Sequence, residues 1–136
     1  MRAIIDSGPL IALFDRDDSF HERAVAFMRE FRGSLVTTLP VLTEVSHLLD
    51  FNGQVQRDFL RWVRDGAVQL VDVTADDLSR LCELTEKYAD RPMDFADGTL
   101  VLIAERTGIK AVVSLDSDFD IYRLKSGKPL ENLFKR

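Results

Sequence analysis

The sequence is poor in several residue types whose chemistry would otherwise dominate a reading. It has one cysteine, Cys82, so it forms no internal disulfide and no thiolate zinc centre. Its two histidines, His21 and His47, stand alone and far apart, and no serine lies in a nucleophile elbow, so nothing suggests a hydrolytic triad. No apolar run approaches the roughly 20 residues that span a bilayer. The first residues turn acidic at Asp6 before an apolar stretch of signal-peptide length develops. Together with the cysteine count, this makes a cytoplasmic protein with no membrane partner the expectation. Positive charge is also scarce: 18 Lys and Arg against 23 Asp and Glu leave a net charge of −5. That sign disfavours a phosphate-binding surface unless the acids gather where cations sit, since a bound divalent cation inverts the local field.

There are no repeats, no low-complexity tracts and no Pro/Gly/Ser-rich linker. The 136 residues, 46% hydrophobic and 30% charged, suit one folded domain spanning 1–136 with a real core. Short apolar runs alternate with longer helical stretches. Residues 2–6 read as a buried strand stopped by Ser7-Gly8-Pro9, with Pro9 opening a short helix over 9–14. Ser19 and Glu22 form a capping-box pattern before a helix ending near Gly33. A second strand is expected at 35–38. Pro40 then opens a helix with Val41, Val45, Leu48 and Leu49 on one face, broken by Gly53. A further helix carries Phe59, Leu60 and Val63 and stops at Gly66. A third strand at 68–73, a helix capped by Thr74 or Asp76, a helix from Asp94 to Thr107 stopped by Gly108, a fourth strand at 111–115 and a short fifth at 130–134 follow. Strands alternating with helices imply an α/β fold on a mainly parallel sheet, whose ligands bind beyond the carboxyl ends of the strands.

Acidic residues recur at those ends. Asp6 follows Ile4-Ile5, and a charge closing a buried strand is costly unless it meets a partner; the ordinary alternative is an Asx turn onto Gly8. Asp116 closes the fourth strand, with Asp118 and Asp120 after it. Glu44 borders the apolar face of the helix opened by Pro40, where reaching out to solvent would also account for it. Asp94 and Asp97 start a strongly apolar helix, where an N-cap and a first-turn acid are ordinary. Each acid has a plain explanation. Together they bring carboxylates from four elements to one rim, where mutual repulsion calls for cations. All-oxygen donors select Mg²⁺ or Mn²⁺ over zinc, as one or two ions, and such a centre suits phosphodiester hydrolysis.

Four blocks carry a family resemblance. Ile5-Asp6-Ser7-Gly8-Pro9-Leu10-Ile11-Ala12, Thr38 through Glu44, Asp94-Phe95-Ala96-Asp97-Gly98-Thr99-Leu100 and Ser114-Leu115-Asp116-Ser117-Asp118-Phe119 resemble, in order, the motifs of PIN-domain ribonucleases. The resemblance implies a three-layer α/β/α fold and a Mg²⁺- or Mn²⁺-dependent endoribonuclease. It makes Asp6, Glu44, Asp97 and Asp116 the catalytic and metal-holding acids. Asp94 and Asp118 become supporting acids, and Ser7 a group that orients Asp6 or a metal-site water. The size is similar to that of the toxin half of bacterial VapBC-type toxin–antitoxin pairs. That implies RNA as substrate, a cognate antitoxin and a homodimer. Gly98, where Ala is commoner, suggests close packing, and Ser114 stands for the usual Thr.

Other features have weaker claims. Arg57, Arg61 and Arg64 share a helix face but are balanced by Asp58 and Asp65. Trp62 and Phe59 read as core or dimer surface. Asp116-x-Asp118-x-Asp120 begins like a calcium loop, but Ile121 and Gly127 stand where an EF-hand needs Gly and Glu. A phosphoacceptor receiver domain needs an acidic pair at the first strand, and only Asp6 is there. An RNA-processing PIN nuclease without an antitoxin and a catalytically inactive PIN scaffold are the remaining alternatives.

Overall fold

The computed structural model describes residues 1–91 and 93–134. Among these the chain forms β1 (Arg2–Ile5), α1 (Ser7–Phe14), α2 (His21–Glu30), β2 (Ser34–Thr37), α3 (Leu39–Leu48), α4 (Gly53–Arg64), β3 (Val68–Leu70), α5 (Leu78–Lys87), α6 (Phe95–Thr107), β4 (Ala111–Val113) and β5 (Glu131–Asn132). Short 3-10 turns occupy Ala75–Asp77 and Ser117–Asp120.

The strands make one all-parallel sheet in the order β3-β2-β1-β4-β5. β1 is the middle strand, with Ile4 paired to Val36 on one side and to Val112 on the other. The chain winds outward from β1 to β3, then crosses back to lay down β4 and β5. The winding therefore reverses between β1 and β4, and a crevice at the carboxyl ends of that pair is where such sheets bind ligands. Ala3, Ile4 and Ile5 are all buried, as are Leu35, Val36 and Thr37. Neighbouring strand residues face opposite sides, so both faces of the sheet are covered by helices. The result is the expected three-layer α/β/α arrangement.

α6 crosses this interior. Every residue from Ala96 to Ala104 is buried, so the helix is enclosed around its circumference. Asp94 caps it by accepting from the Asp97 backbone N–H at 2.7 Å, and Gly108 ends it in the left-handed region at φ 77°. At Gly98, an added Cβ would lie 3.2 Å from Leu81 Cδ2 and 3.4 Å from Met93 Sδ, so the missing side chain is what lets α5 and the Met93 segment close on α6.

Several local expectations are corrected. α1 begins at Ser7, before Pro9, because Asp6 serves as its cap. Ser19 caps nothing: the Asp18 carboxylate takes the Phe20 N–H at 2.8 Å, and α2 starts at His21 without a side-chain cap. Gly53 opens α4 instead of breaking a helix, since Asn52 Oδ1 accepts from the Gln54 and Val55 N–H groups. On α3 the buried face is Val41, Val45 and Leu49, while Leu48 is 50% exposed; an i, i+4, i+8 line leaves Leu48 turned outward. Trp62 packs edge-on against Phe14 at 5.3 Å, and Phe14 against Phe59 at 5.4 Å, which sets it, half-buried, against the core cluster. His21 Nδ1 lies 2.7 Å from the Ala12 carbonyl oxygen, an ordinary structural bond.

Candidate active site

Asp6 leaves the carboxyl end of β1 and is 6% exposed. Its Oδ1 accepts from the Ser7 backbone N–H at 2.8 Å, and its Oδ2 from the Ser114 hydroxyl at 2.9 Å. The Asx turn onto Gly8 is not what holds it. Ser114, fully buried one residue past β4, also accepts the Asp116 backbone N–H at 2.9 Å. One hydroxyl thus joins the acid after β1 to the loop carrying the acid after β4. Asn132, in β5, brackets Ser114 in turn: its side chain accepts the Ser114 N–H at 3.2 Å and donates to the Ser114 carbonyl at 2.9 Å.

Glu44 comes from α3 and is tied to α1, where the Ser7 hydroxyl donates to its Oε1 at 2.7 Å. The Ser7 side chain therefore positions Glu44, whereas Asp6 is held by the Ser7 backbone. Asp97, 7% exposed, projects from the first turn of α6 and accepts from the Tyr122 hydroxyl at 3.3 Å. Tyr122 is fully buried and clamped edge-on by Tyr88 at 5.0 Å and Phe119 at 5.2 Å. Asp116 caps the 3-10 turn after β4 by accepting from the Asp118 N–H at 2.9 Å. The ends of α3 and α6 are fastened together behind these groups by a bond of 2.7 Å between the buried hydroxyls of Thr38 and Thr99.

The electrostatics show which acids share a space. Burial pushes the Asp6 carboxyl up to about 6, two hydrogen bonds oppose the rise, and the charges of Glu44 and Asp116 add to it. Burial pushes Asp97 up to about 8, reinforced by the charges of Asp6, Asp94 and Asp116, while the Tyr122 hydrogen bond opposes it. The Tyr122 hydroxyl is in turn held far more firmly than an exposed phenol, by burial first and then by the charge of Asp97. Asp6, Glu44, Asp97 and Asp116 are thus brought together from four elements. The two supporting acids lie at the margin. Asp94 is exposed and spends Oδ1 on its capping bond; Asp118 pairs with Arg91 at 3.3 Å.

Among the described residues no three acidic, histidine or cysteine side chains stand close enough together to hold a metal ion as they are placed. The group nevertheless fits a hard divalent cation. Its donors are all oxygens, and among the described residues neither Asp6 nor Asp97 is paired with a lysine or arginine. Burial first, and then the neighbouring carboxylates, raise their affinity for protons, and a divalent cation between them would relieve both.

The sequence motifs did not disclose the tyrosine that supports Asp97 or the asparagine that brackets Ser114. Tyr122 lies beyond the last motif block in an irregular stretch, and Asn132 on a two-residue strand, so neither had a periodicity to mark it.

The arginine face of α4 is self-balanced, with Arg61 3.5 Å from Asp58 and Arg64 2.9 Å from Asp65. No helix among the described residues is long and apolar enough to cross a membrane.

Known proteins place this arrangement. A family model described as PIN domain matches residues 3–124. Ribonuclease VapC26 of Mycobacterium tuberculosis is 26% identical over 115 residues, covering 83% of this chain and 85% of that protein. The crystal structure of Mycobacterium tuberculosis VapC20, described as a sarcin–ricin loop cleaving toxin, superposes with a TM-score of 0.80 at 21% identity over 88% of this chain and 93% of that one. VapBC2 from Rickettsia felis, solved with a DNA fragment from its promoter, gives 0.65 at 12% identity over 97% and 98%.

Proposed function

We propose that this chain, which belongs to the PIN-domain family, is a Mg²⁺- or Mn²⁺-dependent endoribonuclease and the toxin of a bacterial toxin–antitoxin pair. The observation that carries the proposal is the shared field of Asp6, Glu44, Asp97 and Asp116 at the switch point of the sheet, with no basic partner among the described residues for its two buried members. Kinship with a protein named a ribonuclease supports RNA as the substrate.

In this reading the four acids hold one or two cations. When bound, a divalent cation neutralises the cluster, acidifies a water for attack on phosphorus and steadies the leaving oxygen. The chain's own work is positional. Ser114 fixes the spacing of Asp6 and the Asp116 loop, Ser7 holds Glu44 against α1, and Tyr122 keeps Asp97 facing the cluster. Asp118 stands with Arg91, which among the described residues brings a positive charge to the rim where a phosphate backbone passes. In the same proposal the chain works in the cytoplasm, on its cysteine count, and as one domain over 1–136, on its length; that it pairs as a homodimer and is silenced by a small cognate antitoxin rests on the motif resemblance.

The test is to incubate the purified protein with total RNA in Mg²⁺ or Mn²⁺ and map new 5′ ends, beside chelator and Asp97→Asn controls. Discrete cuts that vanish in both controls are expected. Cuts that survive Asp97→Asn refute the site assignment. The absence of cuts by antitoxin-free protein favours the inactive scaffold.

A further inference from the structure

One aromatic ring next to the acids is unaccounted for. Phe95, the first residue of α6, follows the capping Asp94 and is 51% exposed. Among the described residues it joins no ring pair, whereas Trp62 is committed to the core with Phe14. Phe95 lines a groove of about 480 Å³ together with Pro40, Thr43, Glu44, His47, Asp94 and Ala96. Glu44 belongs to the acidic cluster, so the groove opens directly from the proposed cleavage site. On its other flank Phe95 and Pro40 border a second depression with Leu39 and Leu70.

The chemistry of the first groove limits its occupant. Among the described residues its charged lining is Glu44 and Asp94, which repel phosphate. It offers instead the flat face of Phe95, the ring of Pro40, the His47 imidazole, and the Thr43 hydroxyl oxygen as an acceptor, its proton being donated to the Leu39 carbonyl at 3.1 Å. A neutral planar heterocycle with a polar edge satisfies all of these at once. An RNA whose backbone lies along the acids has such a group one bond system away, provided that the nucleotide is unpaired and turned out of its stack.

We propose that Phe95 is a base-stacking platform, and that Pro40, Thr43 and His47 complete a subsite for one unpaired nucleobase beside the scissile phosphate. The proposal rests on the ribonuclease reading above. It makes Phe95 a specificity-determining residue for where the RNA is cut.

The test uses the RNA found in the total-RNA experiment, its cut site and single-abasic versions of it, one for each position flanking the cut. Losing one stacked base costs roughly 5- to 150-fold, so Phe95→Ala and Phe95→Leu should each lower kcat/KM by that factor, mostly through KM, while Phe95→Trp stays close to wild type. One abasic position should cost the wild-type protein a similar factor and cost Phe95→Ala nothing further. Unchanged melting temperatures and circular dichroism, expected for a half-exposed side chain, separate this from misfolding. Full-rate cleavage by Phe95→Ala overturns the subsite while leaving the nuclease intact. So does a loss that persists undiminished on every abasic substrate, or normal cleavage with a changed oligomeric mass, which would make the ring a protein contact. If the wild-type protein itself cuts no RNA, the parent reading and the subsite fall together.

Discussion

The metal-free protein should become less stable as the pH rises through neutrality, and Asp97→Asn should abolish most of that loss. In the unfolded chain Asp97 titrates near 3.8; in the folded protein it holds its proton to about 8. Below pH 4 both states are protonated and the group contributes nothing. Between pH 4 and 8 the folded state binds more protons than the unfolded one, so stability falls with rising pH. Above 8 the full cost of an ionised, buried, repelled carboxylate is present. At about 1.4 kcal/mol per tenfold change in acidity the ceiling is about 6 kcal/mol, and water entry and relaxation reduce this to several kcal/mol. Asp6 adds a smaller loss, between pH 4 and about 6. An amide at position 97 has no charge to repel, and its oxygen still accepts from Tyr122. Asp97→Asn should therefore exceed wild type by about 2–4 kcal/mol at pH 8.5 in chelator and converge with it near pH 4. Urea denaturation from pH 4 to 8.5 measures this. A wild-type profile that is flat or rising between pH 6 and 8, or a variant less stable than wild type at pH 8.5, would refute the account of a crowded site without counterions.

Mn²⁺ at about 100 times its dissociation constant should return roughly 2.7 kcal/mol to the wild-type protein at pH 8 and much less to Asp97→Asn, as read by thermal denaturation. Ser114→Ala strips the donor from Asp6 and the acceptor from the Asp116 N–H inside a fully buried pocket. It should cost about 1–3 kcal/mol in urea denaturation and slow cleavage. Gly108→Ala forces a side chain into the left-handed region at φ 77° where no other atom is near, so its cost should be conformational alone, about 1–2 kcal/mol with cleavage unchanged.

The layer plan was legible because it depends on long-range pattern, and so was the gathering of acids at the strand ends, while the choice of Asp6, Glu44, Asp97 and Asp116 among them came from the motif resemblance. Consecutive apolar residues such as Ala3-Ile4-Ile5 mark a strand covered on both faces, and an acid directly after such a run must stand at the rim. Helix boundaries were less legible because local carboxylates and amides compete for the same backbone donors. Asp18 displaced Ser19 at α2, and Asn52 turned Gly53 from a stop into a start. Leu48 and Leu49 could not both lie on the buried line of α3, and only the packed structure chooses between them. The groups behind the acids were the least legible. Thr38 begins the second motif block, and nothing in that block shows that its hydroxyl is bonded to Thr99 on α6, 61 residues away.

The bond between Ser114 and Asp6 spans 108 positions of the chain. β1 cannot receive β4, nor Asp6 its hydroxyl donor, until the chain has been made through Ser114. A nascent chain that stops before Ala111 has the first acid and Glu44, but neither the Asp116 loop nor the strand that anchors it. Contacts of such separation are slow to close. The acidic cluster is thus a late product of synthesis: a chain truncated before Ser114 lacks both the hydroxyl donor for Asp6 and the loop that carries Asp116.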